Sequence, residues 1–248
     1  IGDNAATNIT ATDITTINGD TNGTITVSNA IDINGTAAEV TAAFVAIDTN
    51  TGNATATLSN AHTLAELKAI NNATSGAITL NDASVALSGS ASDVTAALTG
   101  ITGYTGAVTL SDAHNLAQLK TINDATSGTI TLNSYAVGLS GSTADVKAAL
   151  AGTFAAAYTG NVTIGDANTT NITATDITTI NGDTNGTITV TNAIDINGTA
   201  AQVTAAVAAV DTFSAAATAT LSDAHTLAEL KAINNAISGT ITLNDASV

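Results

Sequence analysis

The sequence predicts an α/β fold, a right-handed solenoid of short parallel strands backed by short helices, with about nine units in alternating pairs. Three observations support this prediction. Helix-capping boxes recur along the whole chain, a Thr-rich strand pattern follows each predicted helix, and residues 1–85 return as 164–248 with 70 of the 85 positions identical. Because each unit of such an array buries its apolar side only against its neighbours, the repeats favour one elongated domain.

The helices are predicted from nine capping boxes of the form Ser/Thr/Asn-x-x-Asp/Glu/Gln. In such a box the first side chain accepts a backbone N–H of the first helical turn, and the last residue reaches back to the cap. Apolar residues then follow helical spacing, as Leu64, Leu67 and Ile70 do. The boxes lie 25 to 31 residues apart, which indicates a repeat of roughly 27 residues. They are Thr10/Asp13, Thr36/Glu39, Thr63/Glu66, Ser90/Asp93, Asn115/Gln118, Ser142/Asp145, Thr173/Asp176, Thr199/Gln202 and Thr226/Glu229.

An asparagine is predicted to end the helix in five units, because Asn tolerates the left-handed conformation that closes a helix. A glycine then turns the chain towards the next strand. The asparagines are Asn18, Asn71, Asn123, Asn181 and Asn234, and the glycines are Gly23, Gly76, Gly128, Gly186 and Gly239.

The strands are predicted from nine short segments in which aliphatic residues alternate with threonine. Side chains alternate across a strand, so the aliphatic residues should face the helices and the threonines should face outward. A helix between successive strands makes them parallel, with right-handed crossovers. The longer units add a second short strand, at 31–33 or 85–87. The whole arrangement is broadly similar to a leucine-rich repeat.

The domain organisation follows from the long repeat. Residues 1–248 are interpreted as a single repeat array and as an excerpt of a longer chain. Residues 1–163 form one higher-order module, and residues 164–248 begin the next copy. No run of about 18 apolar residues occurs, so no membrane span is predicted.

Composition restricts the partners. The chain has 17 Asp and 3 Glu against 4 Lys, which gives a net charge of -16. Nucleic acid and anionic lipid would be repelled, so neither is expected as a partner. The chain contains no cysteine, so it forms no disulfide and no thiolate metal site. The expected partner is the protein itself, associating end to end or side by side through open strand edges.

A calcium site is the first candidate for chemistry. Asp or Asn stands just past the strand in nearly every unit, and oxygen ligands of this kind suit calcium. The alternative is structural, a turn in which the side chain holds backbone N–H groups. No other cofactor is predicted. The candidate calcium ligands are Asp20, Asp82, Asp112, Asp166, Asp183, Asp223 and Asp245.

An enzyme is not predicted. His62, His114 and His225 are equivalent and lie about 50 residues or more apart, so they favour partly buried positions beside helix caps over a metal cluster. Lys68, Lys120 and Lys231 are interpreted as solvated helix positions. Catalytic sites usually break the symmetry of a repeat at one place, and no single acid–base pair does so here.

The outward threonines are the second candidate site. Rows of Thr on a flat parallel sheet, with strands about 4.8 Å apart, would form a regular hydroxyl lattice suited to ice or another ordered surface. The alternative is that Thr is simply a good exposed strand residue. The candidate face comprises Thr24, Thr26, Thr55, Thr57, Thr129, Thr131, Thr187, Thr189, Thr218, Thr220, Thr240 and Thr242.

The repeat text resembles that of very long surface proteins of marine cyanobacteria and related bacteria. The resemblance covers the whole chain and is clearest in residues 64–80 (LAELKAINNATSGAITL) and 85–94 (VALSGSASDV). It implies an extracellular, secreted or cell-surface filament, surface-layer element or adhesin stalk without catalytic activity. The leading expectation is therefore a structural protein, and the alternative is an ice- or surface-binding protein that uses the threonine face.

Overall fold

The structure, a computed structural model, describes residues 1–244, and this part of the chain forms nine α-helices and seventeen short β-strands. The helices are α1 (Ala11–Asp20), α2 (Ala37–Ala46), α3 (Leu64–Ala73), α4 (Ala91–Leu98), α5 (Leu116–Ala125), α6 (Thr143–Leu150), α7 (Ala174–Asp183), α8 (Ala200–Ala209) and α9 (Leu227–Ala236). The strands are β1 (Asn8–Thr10), β2 (Thr26–Val27), β3 (Asp32–Gly35), β4 (Thr49–Asn50), β5 (Thr55–Leu58), β6 (Ile78–Thr79), β7 (Leu87–Gly89), β8 (Val108–Leu110), β9 (Ile130–Thr131), β10 (Leu139–Gly141), β11 (Val162–Ile164), β12 (Asn171–Thr173), β13 (Ile188–Val190), β14 (Asp195–Gly198), β15 (Thr212–Phe213), β16 (Thr218–Leu221) and β17 (Ile241–Leu243).

Every predicted capping box lies at the start of a helix, and each helix begins one residue after its cap. In α2 the Thr36 hydroxyl accepts the Glu39 N–H at 3.3 Å, and the Glu39 carboxylate accepts the Thr36 N–H at 2.8 Å. These bonds satisfy donors that the first helical turn leaves free. The Thr36 N–H, and the Thr36 hydroxyl that also donates to this carboxylate, hold the pKa of the Glu39 carboxyl below its usual value.

The predicted helix ends are wrong. The five asparagines lie inside their helices, which each continue two residues further. Among the described non-glycine residues only Ala6, Asn53 and Thr169 have a positive φ, so no asparagine closes a helix in the left-handed conformation. At Asn71 the reason is a contact outside its own helix. Its side-chain amide donates to the carbonyls of Ala96 and Thr99, at the end of α4, both at 2.8 Å.

Contacts divide the chain into two compact units. Unit 1 comprises residues 1–113 and 121–133, and unit 2 comprises residues 114–120 and those from 134 onward. Unit 1 contains the parallel sheets β1-β3-β5-β6, β2-β4 and β7-β8-β9. Unit 2 contains the parallel sheets β10-β11-β13-β15 and β12-β14-β16-β17. The prediction of an α/β fold with parallel strands is confirmed.

The register shows how successive repeats stack within each unit. Paired residues are 21 to 26 positions apart, from Leu87 opposite Val108 to Val162 opposite Ile188. This spacing is shorter than the predicted 27 residues because the longer connections begin new sheets. After β6 the chain runs on and starts another sheet at β7, and after β11 it does so at β12. The second short strand predicted at 31–33 is seen as β3, one residue later, whereas the one predicted at 85–87 begins only at Leu87, as β7.

The core of each unit lies between helices and strands. In unit 1 it includes Ile14 and Val40 from helices and Val27, Ile33 and Leu58 from strands, all buried. Neighbouring repeats approach so closely that some positions exclude a side chain. A β-carbon placed on Gly76 would lie 2.4 Å from the Ala54 carbonyl oxygen. Glycine is therefore required there by contact with the preceding repeat.

Candidate functional site

A polar residue just past a strand completes the helix of the preceding repeat. Four such residues accept the first backbone N–H of a helix 21 to 23 residues earlier in the chain. That N–H has no partner within its own helix, and the positive helix N-terminus favours a carboxylate there. The bonds are Ala37 N–H to Asn60 Oδ1 at 2.8 Å, Ala91 to Asp112 at 2.6 Å, Thr143 to Asp166 at 2.8 Å and Ala200 to Asp223 at 2.7 Å.

Two further aspartates serve strands in the same way. Asp48 accepts the Ile25 N–H and Asp211 accepts the Ile188 N–H, both at 2.7 Å and both from the repeat before. Asp48 and Asp211 are equivalent positions of the 163-residue module. Of the candidate calcium ligands, Asp112, Asp166 and Asp223 thus join one repeat to the one before it. Local sequence could not show this, because each acceptor lies more than 20 residues from its donor.

The other candidate calcium ligands lie in different settings. Asp82 accepts the N–H and the hydroxyl of Ser84, and these two bonds hold the pKa of its carboxyl below the usual value. Asp20 is exposed at the end of α1. Asp183 ends α7, where burial raises the pKa of its carboxyl. Asp245 lies outside the described residues. Within residues 1–244 no three His, Cys, Asp or Glu side chains come together as metal ligands would.

The candidate threonine face is divided among several sheets. Thr26, Thr131 and Thr189 lie in β2, β9 and β13, and Thr24, Thr129 and Thr187 each precede one of these strands. The remaining six lie in or beside β5, β16 and β17. The threonines of β5 and β16 are half-buried, whereas Thr24, Thr26, Thr129, Thr187, Thr240 and Thr242 are exposed. The six strands belong to five sheets, since only β16 and β17 share one.

One hydroxyl row is continuous in unit 2. Ser140, Thr163, Thr189 and Thr212 occupy paired positions on four successive parallel strands, and each pair lies directly across the ladder. Adjacent strands are about 4.8 Å apart, so these hydroxyls repeat at roughly that interval. At β11 and β13 the row is one residue wide, because the flanking positions carry buried aliphatic side chains.

Sequence analysis missed two aspartates among the outward threonines. Asp32 accepts the hydroxyls of Thr55 and Thr57, both at 2.9 Å. Asp195 accepts those of Thr218 and Thr220 at 2.9 and 3.0 Å. These four hydroxyls are therefore donated within the sheet. The sequence signal for this role is an aspartate flanked by two isoleucines at the start of a strand, in Ile31-Asp32-Ile33 and Ile194-Asp195-Ile196.

Two buried histidine–tyrosine pairs are the second feature that sequence analysis missed. His62 Nε2 lies 3.2 Å from the Tyr104 hydroxyl, which donates to the Val85 carbonyl at 2.5 Å. His114 and Tyr158 repeat this arrangement at 3.1 Å. The sequence predicted partly buried histidines beside the helix caps, and the structure buries both more completely. In both pairs the tyrosine follows the histidine by 42 or 44 residues and precedes Thr-Gly, which is the sequence signal.

Burial shifts the titration of these pairs. It lowers the pKa of His62 and His114 below the ordinary value of 6.5 and raises the pKa of Tyr104 to about 12. Asp82 and Glu66 oppose the shift at His62, but less strongly than burial favours it. Because the Tyr104 hydroxyl donates to Val85, His62 Nε2 must donate to that hydroxyl. The other ring nitrogen, Nδ1, is buried with no hydrogen-bond partner among the described residues, so a proton there would be unsatisfied and burial favours the neutral ring.

The paired histidines should make the folded protein less stable in mild acid. Near and below pH 6.5 the unfolded chain binds more protons at His62 and His114 than the folded chain, in which burial lowers the pKa of both histidines. The free energy of unfolding should therefore be constant above about pH 7 and fall as the pH drops below 6.5. Urea denaturation between pH 5 and 8 measures this, and a His62→Gln, His114→Gln double variant should lose the slope. The lowered carboxyl pKa values act only below about pH 4, outside this window. Histidine NMR titrations with midpoints at or above 6.5 would contradict the prediction.

Two lysines connect helices of neighbouring repeats. Lys68 of α3 pairs with Asp93 of α4, and Lys147 of α6 pairs with Asp176 of α7. Lys68 keeps 39% of its side chain exposed, so the position predicted to be solvated also forms an ion pair. Both pairs are partly exposed, so water screens them and each contributes little to the stability. The two lysines join α3 to α4 and α6 to α7.

The bond from Asp112 to α4 is expected to be stabilising. Asp112→Ala should lower the free energy of unfolding by about 1–2 kcal/mol, because the Ala91 N–H would lose its charged acceptor. Asp112→Asn should retain most of the stability, since Asn60 accepts the Ala37 N–H in the same way. Urea denaturation, with hydrogen exchange at the Ala91 amide, measures both effects. An asparagine variant as unstable as the alanine variant would contradict the role of the hydrogen bond.

The cavities in each unit do not assemble catalytic groups. A cavity of about 520 Å³ in unit 1 is lined by Asn71, Thr74, Thr99 and their neighbours, with no ionisable side chain. Another of about 260 Å³ in unit 2 is lined by Phe154, Tyr158, Asp183 and smaller residues. Neither pairs a nucleophile with a base, and the absence of an enzymatic role stays a prediction.

Comparisons with known proteins give no indication of function. No protein-family model, no curated protein and no solved structure matches the chain. In the part of the chain that the structure describes, the helices are all too short or too polar to cross a membrane.

Proposed function

We propose that this protein is a structural extracellular repeat protein, a cell-surface filament, surface-layer element or adhesin stalk. In this proposal its repeats form a right-handed solenoid and it has no catalytic activity. The carrying observation is the set of four bonds in which a polar side chain accepts the first N–H of a helix in the preceding repeat, at α2 and α4 in unit 1 and at α6 and α8 in unit 2. Their even distribution favours a scaffold, because a catalytic protein concentrates its special side chains at one place.

The resemblance of the repeats to those of long bacterial surface proteins supports an extracellular location. The charge of -16 opposes binding to nucleic acid or to anionic lipid, so neither is part of the proposal. Self-association of such chains, end to end or side by side, is the partner interaction that we propose. Its support is the edge strands inside the chain, such as β7, β9, β10 and β15, which each pair on one side only.

Electron microscopy of the purified protein, with and without calcium, tests this function. Filaments or sheets are the expected result, because unpaired strand edges and repeated surfaces favour ordered association. A calcium requirement for assembly would indicate that the candidate aspartates bind calcium ions. Isolated short particles in both conditions, at all concentrations, would contradict self-association.

The second candidate function is binding to ice or another regular surface. The aligned row Ser140, Thr163, Thr189 and Thr212 favours it, since a hydroxyl repeat of about 4.8 Å can match an ordered lattice. A Thr131→Lys, Thr189→Lys variant should abolish thermal hysteresis and fold normally, while Thr175→Lys on α7 serves as the control. Hysteresis that survives in the first variant would contradict this use of the face.

A further inference from the structure

Two aspartates interrupt the uncharged composition of the strands. Asp32 and Asp195 are the only ionisable residues in the seventeen strands of residues 1–244. They occupy equivalent positions of the 163-residue module. Both lie inside sheets, because β3 pairs with β1 and β5, and β14 pairs with β12 and β16. A charge that occurs at one outward strand position among many threonines indicates a role beyond strand formation.

Threonine hydroxyls hold each carboxylate from one side. The Thr55 hydroxyl donates to Asp32 Oδ1 and the Thr57 hydroxyl donates to Asp32 Oδ2, both at 2.9 Å. The two threonines of β16 donate to the two oxygens of Asp195 in the same way, at 2.9 and 3.0 Å. An ionised carboxylate has about four lone-pair positions, so each oxygen keeps a further position for another donor. Neither aspartate forms an ion pair within residues 1–244.

An asparagine amide lies beside each carboxylate. Asn34 follows Asp32 by two residues, so the two side chains lie on the same sheet face, roughly 6.6 Å apart along the strand. Asn197 follows Asp195 in the same way. Both asparagines are half-buried, and their side-chain amides make no hydrogen bond within residues 1–244. Because the threonine protons are already donated to the carboxylate, each site presents a negative charge and acceptor oxygens. We call these two sites the Asp-Asn patches, and they comprise Asp32, Asn34, Thr55 and Thr57 in unit 1 and Asp195, Asn197, Thr218 and Thr220 in unit 2.

We propose that each Asp-Asn patch binds the guanidinium group of an arginine on a partner protein. A guanidinium presents two parallel N–H donors, which match the one remaining position on each carboxylate oxygen. Its other N–H groups find an acceptor in the oxygen of the asparagine amide. A lysine ammonium is a compact charge and lacks this planar arrangement of donors.

The charge of the chain favours a basic partner. The net charge of -16 attracts cationic proteins and raises their rate of association. None of the 248 residues is an arginine, so a second copy of these repeats does not supply the group. The patches therefore assign a partner of different sequence, which goes beyond the self-association proposed above.

NMR titration of the full chain with a blocked Gly-Arg-Gly peptide tests the proposal, and the corresponding Gly-Lys-Gly peptide is the comparison. Saturable shifts are expected at the side-chain amides of Asn34 and Asn197. The arginine peptide should bind at least about threefold more tightly than the lysine peptide, because only the guanidinium bonds both carboxylate oxygens. Equal affinity, or shifts spread evenly over the other aspartates, would overturn the proposal, since either shows general attraction to an acidic chain.

Variants at the carboxylates give the second test. Asp32→Asn combined with Asp195→Asn should weaken binding of the arginine peptide at least about 10-fold, since an amide supplies one neutral oxygen. Asp20→Asn combined with Asp183→Asn removes the same charge at another pair of equivalent positions and should change the affinity less than about twofold. An equal loss in this control would contradict a specific site.

Two further results keep the proposal falsifiable if the carboxylate variant does not fold. Asn34→Ala combined with Asn197→Ala retains both carboxylates and should weaken binding of the arginine peptide at least about threefold. An unchanged affinity would contradict the role of the amides. Calcium chloride at the concentration of the peptide should leave the shifts in place, and their loss would assign the patches to a metal ion.

Discussion

Gly186→Ala is expected to lower the free energy of unfolding by about 3 kcal/mol. A β-carbon on Gly186 would lie 2.2 Å from the carbonyl oxygen of Gly160 and 2.5 Å from its carbon, in the repeat before. Both atoms are backbone atoms, which cannot move aside by a change of rotamer. Relief would require the two repeats to separate, which would loosen the packing between them.

Gly23→Ala is the matched control for this prediction. Gly23 occupies the same place in the same local sequence, Thr-Asn-Gly-Thr, at the equivalent position of the 163-residue module. The nearest atom to its added β-carbon is Thr21 Oγ1 at 3.4 Å, an ordinary contact. Its free energy of unfolding should change by less than about 1 kcal/mol. Urea denaturation compares the two variants, and equal losses would show that local conformation, rather than contact between repeats, requires the glycine.

Ile180→Ala is expected to cost about 3 kcal/mol, and Ile17→Ala less than about 1 kcal/mol. The two isoleucines lie in helices of identical sequence, α7 and α1. Ile180 is fully buried because α7 packs on α6, whereas Ile17 is 46% exposed. Only the buried side chain leaves a cavity when it is truncated.

Denaturation of both isoleucine variants by urea gives the comparison directly. Alanine has the higher helix propensity, so Ile17→Ala even gains a few tenths of a kcal/mol in α1. The identical sequences remove any difference in local propensity between the two sites. A loss of the same size at Ile17 would mean that the preceding repeat does not stabilise α7, and the scaffold interpretation would lose its basis.

Features set by local chemistry could be predicted from the sequence. The capping box of Thr63 and Glu66 uses residues three apart, and the structure begins α3 at Leu64 as expected. The alternation of Ala56 and Leu58 with threonines likewise predicted β5 and its buried face. Residues close together in the sequence determine such features, so they can be predicted without knowing how the repeats pack.

Features set between repeats could not be predicted in the same way. Asn71 was assigned to a helix end because its partners, the carbonyls of α4, lie 25 to 28 residues away. The sequence left open whether Asp112 binds calcium or stabilises a local turn. Its partner is instead the Ala91 N–H of the preceding repeat. The threonine face was drawn as one lattice because the sequence does not show where a sheet ends and another begins, as after β6.

The most direct test of the stacked scaffold is hydrogen exchange of the unmodified protein, comparing α1 with α7. The two helices share the same ten residues, so their intrinsic exchange rates are equal. Helix α7 packs against the two helices α6 and α8, whereas the main helix neighbour of α1 within residues 1–244 is α2. If neighbouring repeats supply the stability, the amides of α7 should exchange at least roughly 100-fold more slowly than those of α1. Equal rates in the two helices would contradict that claim.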